Sequence, residues 1–220
     1  MNYDIEKIMK QVLRSKDTFD FKCNECGKCC RNREDILLTP YDIYRLAKHL
    51  ELKPIEVFDK YCETYIGSMS KLPVVRLKPK IHGNVCPLLR NGKCSVHIAK
   101  PVVCALFPLG RFASDKEKDK IKYILQDNIR CGSKGTRHTV QEWLAEFDIA
   151  ESEKSMRLWS DILSYAVKFM SKIDKMSDKL KQLVLNVFLN AIYLAYDIEQ
   201  DFFTQFETNI KAFKKITTEI

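Results

Sequence analysis

Three stretches of the chain repeat apolar residues at helical spacing. Trp159, Ile162, Leu163, Ala166, Phe169, Met170 and Ile173 recur at intervals of three and four, which predicts one apolar helix face. The run LVLNVFLNAIYLAY, Leu183 to Tyr196, is apolar nearly all round and suits a central helix buried on several sides. Phe202, Phe203, Phe206, Ile210, Phe213 and Ile216 mark a last amphipathic helix, whose aromatics have the spacing of core packing rather than of a cofactor box or a membrane face. From Thr136 onward the pattern is thus helical. Upstream, TPYDIYRLAKHL opens on a helix-start signal, with Thr39 as N-cap, Pro40 at the first helical position and Asp42 three residues after the cap. A second short helix is predicted from Pro54 in PIEVFDKYCETYI and includes Cys62. Between residues 72 and 131 the pattern changes to short strands and turns. LPVVRLKPKI alternates, CPLL and KCSVHI flank an Asn91-Gly92 hairpin signal, and RF and KYILQ flank a charged loop, SDKEKDK.

This order of elements predicts an α+β protein: a small cysteine-rich unit of short helices and β-hairpins at 1–135, followed by an all-helical region at 136–220 that packs on it. The 220 residues are enough for one compact domain or a small domain with an appendage. No run of about 18 uncharged apolar residues occurs, and MNYDIEKIMKQVLRSK carries charges where a signal peptide needs its apolar stretch, so the expectation is a soluble, cytoplasmic protein without a membrane partner.

The nine cysteines change the picture, because a reducing compartment leaves little room for structural disulfides. Cys23, Cys26, Cys29, Cys30, Cys62, Cys86, Cys94, Cys104 and Cys131 all precede the helical region. In CNECGKCC three cysteines recur at every third residue, and a C-x-x-C turn lets two thiolates converge on one metal while Gly27 relaxes the backbone beneath them. Cys29 and Cys30 are adjacent, so their side chains tend to diverge, and one of them is expected to serve a different centre or a non-ligand role. The Asn91-Gly92 turn returns Cys94 toward Cys86, Pro101 and Pro108 punctuate the chain around Cys104, and Cys131 lies in CGSKG, where Gly132 and Gly135 permit close backbone approach. Cys23, Cys26, Cys29, Cys30, Cys86, Cys94, Cys104 and Cys131 are therefore the candidate metal ligands, and Cys62 is expected to be a buried apolar thiol. Eight thiols suffice for two four-thiolate sites, as one or two iron–sulfur clusters of the 4Fe–4S kind or as zinc; spacing does not separate the two. His97, three residues after Cys94, is the best non-thiolate candidate.

Charge follows the cysteines. Residues 1–135 carry 26 Lys and Arg against 16 Asp and Glu, a net of +10, whereas 136–220 carry 11 against 13. The surplus is part counter-charge for thiolates, which basic neighbours favour, and part footprint for an acidic or nucleic-acid partner. The two short helices at 39–61 also allow a helix-turn-helix reading, with a structural role as the default.

CNECGKCC, the Cys86 and Cys94 pair with SVH, and KPVVCALFP together resemble the YkgJ-type cysteine-cluster family of zinc- or iron-chelating domains. LTPYDIYRLAKHL, PIEVFDKY and the Cys131-Gly132 turn are also similar, and the resemblance spans roughly residues 20–145. It implies a metal-binding protein, most readily an iron–sulfur protein of oxidoreductase or electron-transfer type with an unknown redox or protein partner. The alternatives are a zinc-stabilised module that binds nucleic acid or an acidic protein, and a protein lysine methylase-like enzyme, since some larger relatives are regarded as lysine-N-methylases of flagellin. Ala105 stands where the family's Cys-Arg-x-Phe-Pro signature has Arg. The chain also lacks a G-x-G-x-x-G loop and a CxxxCxxC radical-initiating motif, with Arg33 where the last cysteine of the latter would fall.

Overall fold

A computed structural model describes residues 12–31, 36–114, 117–126, 132–147 and 149–220. It is an α+β fold in which small antiparallel sheets and short helices precede a helical C-terminal segment. Strand β1 (Val12–Leu13) leads into β2 (Thr18–Lys22), whose alternation TFDFK buries Phe19 and Phe21 on one side. Helix α1 (Pro40–Leu50) starts as its sequence dictates. Thr39 caps it in a reciprocal capping box with Asp42, and Pro40 fills the first turn, where no backbone donor is needed. Helix α2 (Pro54–Tyr61) follows, then the hairpin β3 (Cys62–Ile66) and β4 (Pro73–Leu77), with Cys62 opposite Leu77.

A tight turn with positive φ at Asn91 and Gly92 joins β5 (Leu89–Arg90) to β6 (Lys93–Cys94), as the Asn-Gly signal predicts. Helix α3 (Val102–Leu106) precedes a second hairpin, β7 (Leu109–Ser114) and β8 (Glu117–Leu125), and β1 pairs with the far edge of β8. Strand β9 (Ser133–Thr139) then pairs antiparallel with β2, and α4 (Val140–Glu146), α5 (Ile149–Lys172), α6 (Asp178–Phe188) and α7 (Phe202–Thr218) complete the fold. A π-helical turn, Leu189–Leu194, extends α6.

Four elements differ from the sequence pattern. Cys62 opens β3 instead of continuing α2: the helix stops at Tyr61, and the β-branched and aromatic residues of CETYI find a cross-strand partner in β4. The segment expected as a charged loop between β7 and β8 is largely strand, since β8 begins at Glu117 and pairs back onto Ser114. The strands around Asn91-Gly92 are only two residues long each, so Cys86 lies ahead of the hairpin and Leu89, not Cys86, is the partner of Cys94. Finally, residues 136–139 belong to β9 and the helical region starts at Val140; the expected boundary at 135/136 falls inside this strand.

Two apolar clusters result. The larger joins α1, α2 and β4 to α5, α6 and α7 and contains the fully buried Ile43, Leu46, Val57, Val75, Ile162, Phe188, Phe206 and Phe213. Tyr44 of α1 donates to the carbonyl of Gln200 at 2.8 Å, fastening the loop before α7. The smaller cluster gathers Phe19 and Phe21 of β2 with Leu106, Leu109, Trp143, Phe147 and Ile149. Trp143 donates its indole N–H to the Leu106 carbonyl at 3.1 Å, so its polar edge is satisfied inside that cluster. No helix among the described residues is long and apolar enough to cross a membrane.

A candidate metal centre at the seam of two cores

The cysteines that the sequence singles out meet where the two clusters adjoin. Cys23, Cys26, Cys29, Cys30, Cys86, Cys94 and Cys104 all line one cavity of about 70 Å³. Its apolar walls come from both sides, Ile36, Leu77, Leu88 and Val96 from the larger cluster and Phe21 and Phe107 from the smaller. Cys131 lies outside the described residues; its neighbour Gly132 reaches the cavity. Cys62 is elsewhere, buried in the larger core with its thiol toward the Val57 carbonyl at 3.8 Å, and burial pushes that thiol up to about 12.

Local geometry explains the convergence. Cys29 and Cys30 occupy a 3-10 turn, Lys28–Cys30, entered through Gly27 in the left-handed region (φ +66°). A Cβ on Gly27 would sit 2.6 Å from the carbonyl oxygen of Gly92, so the absence of a side chain lets the cysteine turn lie against the tip of the β5–β6 hairpin. Gly27→Ala is expected to lower the unfolding midpoint, by at least the roughly 1–2 kcal/mol of a left-handed non-glycine residue and more from the backbone clash; an unchanged melting curve would contradict this packing. The amide of Cys86 donates to the Cys30 carbonyl at 2.8 Å, tying the second cysteine segment to the first. Cys104 sits in α3, whose Val102 amide is held at 2.7 Å by the buried Asp42 carboxylate of α1. Gly132, at φ +77°, presses its Cα against the Phe21 ring, where a Cβ would come within 2.4 Å. A Cβ on Gly135 would meet only open space.

The thiols are electrostatically unequal. Cys23 and Cys26 are exposed and the other five are half-buried. The backbone N–H of Lys28 holds the Cys26 thiol below its ordinary value; slight burial opposes this, and the Gly132 amide and the Lys28 charge assist it. Cys29 donates to Cys30 and pulls it down, but the bond Cys30 gives to Cys86, burial, and the neighbouring sulfurs of Cys86 and Cys94 win, and the thiol is pushed up to about 12. Cys86, which receives that bond, is shifted down against its burial. Burial raises Cys94. The contact thus sets the two thiols apart, Cys86 favouring and Cys30 resisting loss of its proton, because two adjacent thiolates in a low-dielectric cavity repel. His97 faces Cys23 with Nε2 3.9 Å from Sγ, and burial, then Lys100, keeps its imidazole below the usual value. His49 and His138 are engaged with the carbonyls of Ser95 and Phe21 and do not line the cavity. Ala105, at the position of the family's arginine, is buried in the smaller cluster.

The donor set fits a thiophilic metal. Among the described residues no three His, Cys, Asp or Glu side chains are already drawn around one point, so the thiols form a lining rather than a finished ion cage. Even so, seven soft sulfur donors facing one small space can ionise together only when a cation balances them. The model of the CxxCxxCC family, described as "Putative zinc- or iron-chelating domain", matches residues 22–132, half of the chain. The chain belongs to this family. No curated protein and no solved structure matches it. Membership in the CxxCxxCC family together with the thiol-lined cavity makes this a metal-binding protein. The family match ends at Gly132, so β9 and the helices α4 to α7 lie beyond it.

Proposed function

We propose that the cavity holds an iron–sulfur cluster and that the protein works in electron transfer or as an oxidoreductase. The observation that carries this reading is the number of thiols around a single cavity. One tetrahedral zinc ion takes four ligands, which would leave three of the seven thiols beside it without a cation. A multi-iron cluster distributes its charge over several metal atoms, and eight cysteines, Cys131 included, can serve two such centres. About 70 Å³ is several times the roughly 10–15 Å³ that one water-sized group requires, so there is room for more than a lone ion.

When bound, such a cluster supplies reversible one-electron transfer. The chain's own part is to bring Cys23, Cys26, Cys29 and Cys30 from one loop against Cys86, Cys94 and Cys104 from two others, and to wall the inner side with Ile36, Leu77, Leu88 and Phe107. Exposure of Cys23 and Cys26 leaves the outer side open to a redox partner. Anaerobically purified protein should be brown, with broad visible absorbance that bleaches on reduction.

A specific contact favours a second reading. His97 lies against Cys23, and mixed Cys and His ligands suit zinc; on that reading the centre braces the short strands around it. Colourless protein with stoichiometric zinc is its signature and would sink the cluster.

A further inference from the structure

Lys100 is only 7% exposed, although an ammonium is among the costliest groups to bury. It stands between the 3-10 turn His97–Ala99 and α3, and it lines the thiol cavity beside His97 and Cys104. Its Nζ lies 3.8 Å from the centroid of the Phe147 ring. Among the described residues no carboxylate pairs with it.

A buried cation with an aromatic ring against it and a thiol-lined cavity beside it has no paired carboxylate among the described residues, so a negatively charged centre in that cavity compensates it. Four thiolates around Zn²⁺, or around a cluster core of charge 2+, carry a net charge of −2, so a filled cavity provides that charge. We propose that Lys100 is the resident counter-cation of the metal centre: it ligates nothing, favours a centre of net negative charge, and slows its loss. This rests on the cavity being a metal site but not on which metal fills it.

Lys100→Met keeps an unbranched apolar side chain at the position and removes the charge that sits over Phe147; Lys100→Arg keeps the charge. With full-length, metal-loaded protein, transfer of metal to excess EDTA should be about 10–100-fold faster for Lys100→Met, the usual effect of losing a group that supports a metal's ligands, and near the wild-type rate for Lys100→Arg. If the metal is iron in a cluster, the ratio of reduced to oxidised protein at a fixed poise should also fall about tenfold in Lys100→Met, a shift of about 59 mV for a one-electron couple. Far-ultraviolet circular dichroism of the α4 to α7 helices serves as the folding control. Wild-type release rates in Lys100→Met would overturn the assignment. Equally fast release from both variants would overturn it too, because it would trace the effect to packing. Zinc in place of iron would remove the cluster reading alone, and the release rates would still decide the role of Lys100.

Discussion

Substituting serine for Cys30 or Cys86 is expected to strip the protein of its metal, whereas valine at Cys62 should leave the metal in place. Cys30 and Cys86 lie side by side on the cavity wall, joined thiol to thiol and through the backbone, and each supplies a soft donor that the other segment cannot replace. Losing a donor should weaken binding by more than the roughly 10–100-fold that outer partners cost. Because apparent binding energies of thiolate sites reach about 10–16 kcal/mol in small zinc domains, the same change should also destabilise the region around β5, β6 and α3. Cys62 has the opposite character. It is buried in the larger core, and its thiol gives a weak S–H bond to the Val57 carbonyl. Valine there adds one heavy atom to a packed site and should cost about 1–3 kcal/mol without touching the metal. Metal content per chain and thermal unfolding of the three variants decide the matter. Full metal content in Cys30→Ser and Cys86→Ser, or metal loss in Cys62→Val matching theirs, would refute the division of the cysteines.

Asp42→Ala should be the most damaging change away from the thiols. The carboxylate is 1% exposed and accepts three hydrogen bonds, from the Thr39 amide at 2.9 Å, the Thr39 hydroxyl at 2.8 Å and the Val102 amide at 2.7 Å. The first two cap α1. The third holds the start of α3, two residues before Cys104. Removal leaves buried donors unsatisfied at about 1–3 kcal/mol each, so a loss of about 3–5 kcal/mol is expected, read as a lowered urea midpoint together with weaker metal retention. Burial raises the Asp42 carboxyl above its ordinary 3.8 despite those hydrogen bonds. A raised folded value means that the native state holds this proton more tightly, so the group favours folding most below 3.8 and loses that contribution as pH rises through its folded value. Asp42→Asn should therefore flatten the fall in stability with rising pH and cost less than alanine. A wild-type urea midpoint in Asp42→Ala would show that α3 is held by other means.

Much of this molecule is legible in its sequence, for reasons that are local. The N-cap of α1, the hairpin at Asn91-Gly92 and the apolar faces of α5 and α7 rest on interactions within a few residues of one another, and the structure shows each of them. The candidate ligands were legible as residue types at close spacing, but the single cavity was not, because it forms from three segments folded between two cores. The pairing of β2 with β9 is more distant still. Thr18 lies opposite Thr139 across more than a hundred residues, and the short TFDFK alternation gives no hint of its partner. Cys62 was misplaced by an apolar run that continues a helix period past Tyr61, where cross-strand pairing with β4 overrides it. Lys100 gave no sign of burial, since a lysine ahead of a proline reads as a surface turn residue, and the aromatic ring that covers it comes from beyond the cysteine region.

The central claim is that these thiols hold an iron–sulfur cluster. It is tested most directly by measuring iron, zinc and acid-labile sulfide per chain after anaerobic purification, together with an EPR spectrum of the reduced protein. Iron and sulfide are expected in equal, stoichiometric amounts, with little zinc and a signal that appears on reduction. Stoichiometric zinc without sulfide, in a protein silent by EPR, would contradict it.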